Sequence, residues 1–319
     1  MCYSAQVHAG FARYVRRFGA TIDFATYVKL YIDRDGGSKV KIPKAMDAAF
    51  VEPQTPEQRQ VKALIDAFNQ QEATRLEAEL FKQRKRLADA ERTLQVKTTK
   101  AATESRRIAT DKIGWTMRKL GDLRRTTPED RDSRIFPGHY APVMVWEDGR
   151  RVVKAMRYQC RPCGKPALYD VKFPGTYNAR RDNLRGFWKE QFGTSHGVMV
   201  VSAFYENVSR HAMEGRELAD REKEENVVLE FRPNPPQDML VACLWSHWQA
   251  PGAPELLSFA AITDEPPPEI AAAGHDRVII QIKEDHLDAW LNPQPGNLDA
   301  LDAILADRER PYYEHRLAA

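Results

Sequence analysis

Hydrophobic positions along this chain follow two different periods, and the change between them divides it. From Glu57 to Arg125 the apolar residues fall at helical spacing: Val61, Leu64, Ile65 and Phe68, then Leu76, Leu80, Leu87 and Leu94. Gly and Pro are almost absent there, and Ala, Leu, Gln, Glu, Lys and Arg fill the stretch. Thr55, followed by Pro56 and Glu57, has the composition of a helix start, with proline at the first helical position. Thr98-Thr99 interrupts the pattern, and a second run follows from about Ala101 to Leu123. The spacing predicts two long helices forming an antiparallel hairpin or arm.

Elsewhere the apolar runs are short. Pro142 to Trp146 and Arg151 to Arg157 flank Asp148-Gly149, a strong signal for a hairpin turn. Further strands are predicted at 198–205, 226–231, 239–245, 257–263 and 277–282, with the proline-rich Arg232 to Asp238 as a connecting loop. Short helices are predicted at 284–291 and 297–307, on either side of Asn292-Pro293-Gln294-Pro295-Gly296. The expectation is an α+β fold with a mostly antiparallel β core and flanking helices. That core is built from residues 1–54 and 126–319 and is interrupted by a charged helical insertion at 55–125.

Composition adjusts this picture modestly. A content of 42% hydrophobic residues supports a real core. With 29% charged residues and no apolar run approaching ~18 residues, an integral membrane protein is excluded. The N-terminus lacks the basic-then-apolar order of a secretory signal, so four cysteines point to a reducing, cytoplasmic setting. The net charge of +3 conceals an asymmetry: residues 57–125 carry 17 Lys/Arg against 10 Asp/Glu, which leaves about −4 for the remainder. Such an arm is either a solvated amphipathic element or one whose basic face tracks a nucleic-acid backbone.

The most distinctive chemistry lies at the start, Met1-Cys2-Tyr3-Ser4. Removal of Met1, which a small second residue permits, places an α-amine and a thiol on one residue. The amine is less basic than that of lysine, and the thiol is partly available as thiolate. Together they capture an aldehyde, first as a Schiff base and then as a thiazolidine.

Three later segments accompany Cys2 in order. They are Tyr177-Asn178-Ala179-Arg180 with Arg181; an apolar strand ending Phe204-Tyr205-Glu206; and Gly274-His275-Asp276-Arg277 before another strand. This combination resembles the SRAP family, SOS-response-associated peptidases that shield abasic sites in single-stranded DNA. The resemblance covers about residues 1–30 and 135–293 in scattered blocks and implies a catalytic set of Cys2, Asn178, Glu206 and His275. In that scheme Glu206 acts as acid and base around the Schiff base, a task that partial burial of a carboxyl favours. Asn178 positions the amine and the opened sugar, and His275 assists ring opening and reversal. Arg180 and Arg181 are placed to meet phosphate, and Arg277 and Thr263 fall at pocket positions. The family chemistry requires no metal or organic cofactor. It implies a monomer acting on abasic single-stranded DNA, with no membrane partner and a nucleoid-associated location.

The chain also departs from the family pattern. Tyr3 and Ser4 stand where members usually have Gly-Arg, Asn207 where they have tryptophan, Arg157-Tyr158-Gln159-Cys160 for Arg-Trp-Gly-Leu, and Val278-Ile279 for Met-Pro. The chemical residues are kept while the DNA-contact surface differs. Other chemistries have a foothold too. Cys160-x-x-Cys163 with Cys243 and His247 offers zinc ligand types, although Cys243 lies in what reads as a core strand. Cys2, His275 and Asn178 supply the residue types of a thiol peptidase. A non-catalytic binding module working through the helical arm is the remaining class.

Overall fold

The computed structural model describes residues 3–318. In chain order the elements are β1 (Ser4–Val7), α1 (Phe11–Phe18), β2 (Thr21–Ile22), α2 (Phe24–Asp35), α3 (Lys44–Ala48), α4 (Pro56–Val96), α5 (Lys100–Arg124), β3 (Arg134–Ile135), β4 (Tyr140–Glu147) and β5 (Arg150–Tyr158). There follow α6 (Tyr169–Lys172), β6 (Asn178–Arg180), β7 (His196–Ser209), α7 (Arg210–Met213), β8 (Asn226–Asn234), β9 (Met239–Trp248) and β10 (Leu256–Asp264). The chain ends with α8 (Pro268–Ala272), β11 (Val278–Ile279), α9 (Leu287–Leu291), α10 (Leu298–Ala306) and β12 (Tyr312–Leu317). They group into two compact units. One contains the chain up to Leu30, Lys39–Glu52 and everything from Asp130 onward; the other is Tyr31–Ser38 with Pro53–Glu129.

In the first unit β4, β5, β10, β9 and β7 pair in a closed ring, antiparallel at every junction except β5 with β10. Closure leaves these strands no unpaired edge. Successive side chains alternate between the two sides, so each strand feeds two apolar clusters. Val143, Val145, Met199, Val241 and Phe259 belong to the cluster inside the ring. Met144, Val198, Val200, Leu240 and Ala260 belong to the outer one, where Tyr14 and Phe18 of α1, Trp290 of α9 and Leu301 of α10 cover them. The β4–β5 turn is formed by Asp148 and Gly149 at φ of 51° and 75°, the left-handed pair that matches the twist of a tight hairpin.

One irregularity in β7 matters for the site. Val7 of β1 pairs with Val201, but Gln6 pairs with Ala203, so β7 holds one extra residue, Ser202. Before this bulge Met199 and Val201 face the inner cluster; after it Phe204 and Val208 do. A bulge of this kind reverses the facing of every later residue.

The second unit is a helical hairpin. α4 has 41 residues and α5 has 25. Thr55 caps α4 by accepting from the Gln58 amide, and Thr99 caps α5 by accepting from Ala102. Cross-links run in opposite directions along the two helices. Arg86 Nε donates to Ser105 Oγ at 2.9 Å, Lys112 lies 3.9 Å from Glu79, and Arg124 pairs with Glu77. The seam repeats every seven residues, with Leu76, Gln83 and Ala90 against Ala102, Ala109 and Thr116.

The predicted strands are present, with two differences. β8 runs through Pro233 to Asn234 because β12 pairs along it, so part of the expected Arg232–Asp238 loop is strand. The strand expected at 277–282 is reduced to the two residues of β11, paired with the end of β10. Among the described residues no helix is long and apolar enough to cross a membrane.

Candidate active site

Glu206 lies where β7 leaves the ring to pair with β8, opposite Leu229. It sits between Phe204 and Val208, and the bulge at Ser202 turns all three toward the inner cluster. Its side chain is fully buried. A carboxyl in that position needs a polar counterpart, because the charged form is costly away from water.

His275 supplies one, its Nε2 lying 3.2 Å from Glu206 Oε2. Two contacts orient the ring from its other nitrogen: Nδ1 lies 2.9 Å from the Arg277 carbonyl and 3.2 Å from the Arg277 amide. If Nδ1 donates to the carbonyl, Nε2 is the basic nitrogen and faces the carboxyl; if Nδ1 accepts from the amide, Nε2 carries the proton and faces the carboxyl. The separation puts the two groups within reach of proton exchange. Burial pushes the His275 pKa below the ordinary histidine value, although the nearby Asp276 charge opposes the shift. Gly274 fixes the approach. Its φ is +90°, and a Cβ there would come within 2.9 Å of the Ala212 side chain. Only glycine serves at that position without strain.

Asn178 opens β6, which adds in parallel to β10 with Asn178 opposite Ala261 and Arg180 opposite Thr263. Ala261 faces the inner cluster while Ala179 and Ile262 face outward, so Asn178 and Thr263 look toward the same interior as Glu206. Both are buried, and among the described residues neither amide atom of Asn178 nor the Thr263 hydroxyl has a hydrogen-bond partner. Unsatisfied buried polar groups are uncommon in native structures, and each such site calls for an explanation.

The sequence-predicted arginines fare differently. Arg180 is exposed and paired with Asp182 at 2.7 Å. Arg181 is held by Asp264 at 3.0 Å, an aspartate it shares with Arg308. Arg277 is half-buried beside His275, with no carboxylate partner among the described residues. Cys2 lies outside the described residues. The described chain enters the sheet at Ser4, which pairs with Tyr205, the neighbour of Glu206.

The zinc ligand types do not assemble. Cys160 is fully buried with its thiol pKa pushed up to about 12 by burial, and Cys163 Sγ contacts Ser246 Oγ at 3.3 Å. Among the described residues no group of three or more His, Cys, Asp or Glu side chains is placed to hold a metal ion. His196 is a core histidine. Its Nε2 accepts from the Gly193 amide at 2.8 Å, and its ring packs 4.1 Å from that of Trp290.

Sequence reasoning passed over Arg134. It lies in a two-residue strand within a charged, patternless stretch. Its Nε donates to Ser4 Oγ at 3.0 Å, and its guanidinium stacks 3.8 Å from the Tyr205 centroid.

A buried carboxyl–imidazole pair at the rim of a closed β ring, with an unpaired amide facing the same interior, is an arrangement suited to moving protons on a bound molecule. The family model of SOS response associated peptidases (SRAP) matches residues 92–317, and the chain belongs to that family. Solved structures match in part. A protein from Bordetella bronchiseptica shares 16% identity over 59% of this chain and 87% of its own, with a TM-score of 0.46. One from Bacteroides thetaiotaomicron shares 12% over 59% and 78% (TM-score 0.46). A phage-related protein from Bordetella bronchiseptica shares 14% over 61% and 85% (TM-score 0.44). No curated protein matches the chain.

Proposed function

We propose that this protein captures abasic sites in single-stranded DNA through Cys2, forming a thiazolidine that shields the lesion. The observation that supports this reading is the contact of 3.2 Å between Glu206 and His275, two groups of acid–base chemistry at a buried site. Ser4, opposite Tyr205, begins β1 next to that pair. Two residues of chain reach about 7 Å at most, so Cys2 is tethered close to Ser4.

The chemistry then follows from the groups. Hydrolysis of the Met1–Cys2 bond, self-catalysed as the peptidase designation of the family suggests, frees the amine. The amine nitrogen adds to the C1′ aldehyde of the ring-opened sugar, and the alkoxide takes a proton to give a carbinolamine. Glu206, as acid, protonates the departing hydroxyl; water leaves and an imine remains. The Cys2 thiol adds its sulfur to the imine carbon while its proton passes to the imine nitrogen, closing the ring. Asn178 and Thr263, buried with hydrogen-bonding atoms that no described residue engages, receive sugar oxygens or the amine in this scheme. His275 returns the proton that allows ring opening and reversal.

Intact-mass spectrometry before and after incubation with an oligonucleotide bearing one abasic site tests this directly. The expected result is loss of Met1 and a DNA adduct that survives denaturation, absent in Cys2→Ala. A retained Met1 without an adduct, or an undiminished adduct from Cys2→Ala, overturns the reading.

A second reading has one observation in its favour. In the helical hairpin Lys82, Arg84 and Lys85 carry no carboxylate partner among the described residues, and Lys82, Lys85 and Arg86 line a groove of about 510 Å³ whose one acidic side chain is Asp89. That surface suits a nucleic-acid backbone. Deleting residues 57–125 then weakens DNA binding and its salt dependence more than crosslinking; an unchanged salt dependence leaves the hairpin's charge as solvation only.

A further inference from the structure

Arg134 differs from the arginines that share its face of the sheet. Its pairing with Gln6, and that of Ser4 with Tyr205 and Tyr205 with Glu230, place it on the face opposite the one that bears Glu206. On that face Arg232 and Arg316 share Glu230, and Arg232 also lies 3.4 Å from Asp130. Arg134 has no carboxylate partner among the described residues. Its Nε is bound to Ser4 Oγ at 3.0 Å, and its guanidinium carbon lies 3.8 Å from the Tyr205 centroid and 4.9 Å from that of Phe136. The two terminal nitrogens bond no described residue. Phe136 meets Tyr3 edge-on at 5.6 Å, and Tyr3 is exposed at 41%.

A half-buried guanidinium that no carboxylate contacts directly, with only the more distant Glu230 charge acting on it, is costly to keep, since desolvation is offset by an anion or hydrogen bonds. Burial does lower the pKa of Arg134, but arginine stays charged throughout the physiological range. Here the ring and the hydroxyl fix the orientation of the fork and leave its outer edge for a ligand. Planar bidentate recognition of phosphate is the task to which arginine is suited. An exposed ring such as Tyr3 beside such a cation, with the half-buried Phe136 behind it, forms the pairing that holds single-stranded nucleic acid, with charge on the backbone and a ring under the base. Ser4 lies two residues from Cys2, so the fork lies close to where the abasic sugar is held under the proposed function, on which this inference rests.

We propose that Arg134 binds a phosphodiester flanking the abasic site, with Tyr3 and Phe136 as the platform for the adjoining base.

The test uses the full-length protein and a labelled single-stranded oligonucleotide carrying a tetrahydrofuran site, which has no aldehyde and so reports binding without crosslinking. By fluorescence anisotropy Arg134→Gln raises Kd about tenfold, as loss of a charge-assisted contact implies. The slope of log affinity against log salt becomes shallower by about 0.7, one phosphate on a single strand. Arg134→Lys keeps the slope and loses part of the affinity, and Tyr3→Ala weakens binding without changing the slope. Unchanged Kd and slope in Arg134→Gln overturn the proposal. So does a lower thermal midpoint in Arg134→Gln and Arg134→Lys with wild-type binding, which marks a packing role. Inorganic phosphate at constant ionic strength is expected not to displace the oligonucleotide; displacement makes free phosphate the ligand and overturns the nucleic-acid assignment. Crosslinking of a natural abasic oligonucleotide at saturating concentration is read separately. If wild type forms no adduct while Arg134→Gln still binds the tetrahydrofuran strand more weakly, the covalent reading fails and the phosphate site stands.

Discussion

Glu206 and His275 approach to 3.2 Å from elements far apart in sequence. That separation puts a carboxyl and an imidazole, one an acid and one a base, within reach of proton exchange. Glu206→Gln keeps the shape and removes the exchange. Crosslinking by Glu206→Gln is therefore expected to slow by about 10²-fold or more, within the range for loss of a general acid–base. Affinity for a tetrahydrofuran strand should not change. Equal loss of binding and rate would assign Glu206 to the fold rather than to the reaction.

His275 also sets an expectation for pH. Burial holds its pKa below the ordinary value of 6.5, so the imidazole is neutral at pH 7. The Cys2 amine, which ordinarily titrates at about 8, puts its own acid limb on the crosslinking rate of every variant. Below pH 6.5 the wild type should lose rate more steeply than that limb alone requires, as His275 takes up a proton, and His275→Gln should follow the amine limb only. Profiles of wild type and His275→Gln that superpose after scaling contradict the assignment.

Gly274 makes that position possible. Gly274→Ala introduces a Cβ at φ +90° within 2.9 Å of Ala212, so the loop must shift and His275 with it. The expected cost is about 1 kcal/mol or more, read as a lower thermal midpoint, together with a slower reaction. A variant with wild-type midpoint and rate would mean that the loop accommodates the methyl group without moving the imidazole.

Asn178 gives the opposite signature. Its buried amide has no partner among the described residues, a condition that costs about 1–3 kcal/mol. Asn178→Leu, similar in size and without polar atoms, should raise the thermal midpoint while slowing crosslinking. A residue retained for packing would lose stability on the same change.

Acid stability follows from His196. Burial pushes its folded pKa down to about 3, whereas the unfolded value is 6.5. The unfolded chain therefore binds a proton that the folded one refuses. The stabilisation is complete above pH 6.5 and is lost as pH falls from 6.5 toward 3, on the order of a few kcal/mol. His139, pushed down to about 4 by burial and then by Lys41, acts in the same direction. Thermal midpoints of wild type and His196→Gln across this range should converge at low pH; parallel curves would exclude His196 as the source.

The two long helices were legible in the sequence because Leu76, Leu80, Leu87 and Leu94 repeat at helical spacing and Thr55 stands at the first start; Thr99, read there only as an interruption, caps the second helix. The β4–β5 hairpin was legible through Asp148-Gly149. β12 was not: five of its six residues are exposed, so the segment has little apolar alternation, and its pairing with β8 is what holds it. The site residues were recognisable as types, but the meeting of Glu206 with His275 depends on a bulge that a continuous apolar run such as Val198–Val201 cannot reveal. Arg134 was hidden for another reason. Its partners, Ser4, Tyr205 and Phe136, are brought together only by the β3–β1–β7 order.

The bulge at Ser202 makes the direction of Glu206 a matter of parity. Between Val201 and Glu206 the number of residues must stay even for the carboxyl to face inward. Loss or gain of one residue there would exchange the two sides, sending Glu206 and Phe204 outward and Tyr205 inward, with every amino acid of the motif still present. Conservation of residue types is therefore not enough to retain the site; the spacing of this strand is inherited with them as a hidden constraint, and length changes in it should survive only in twos.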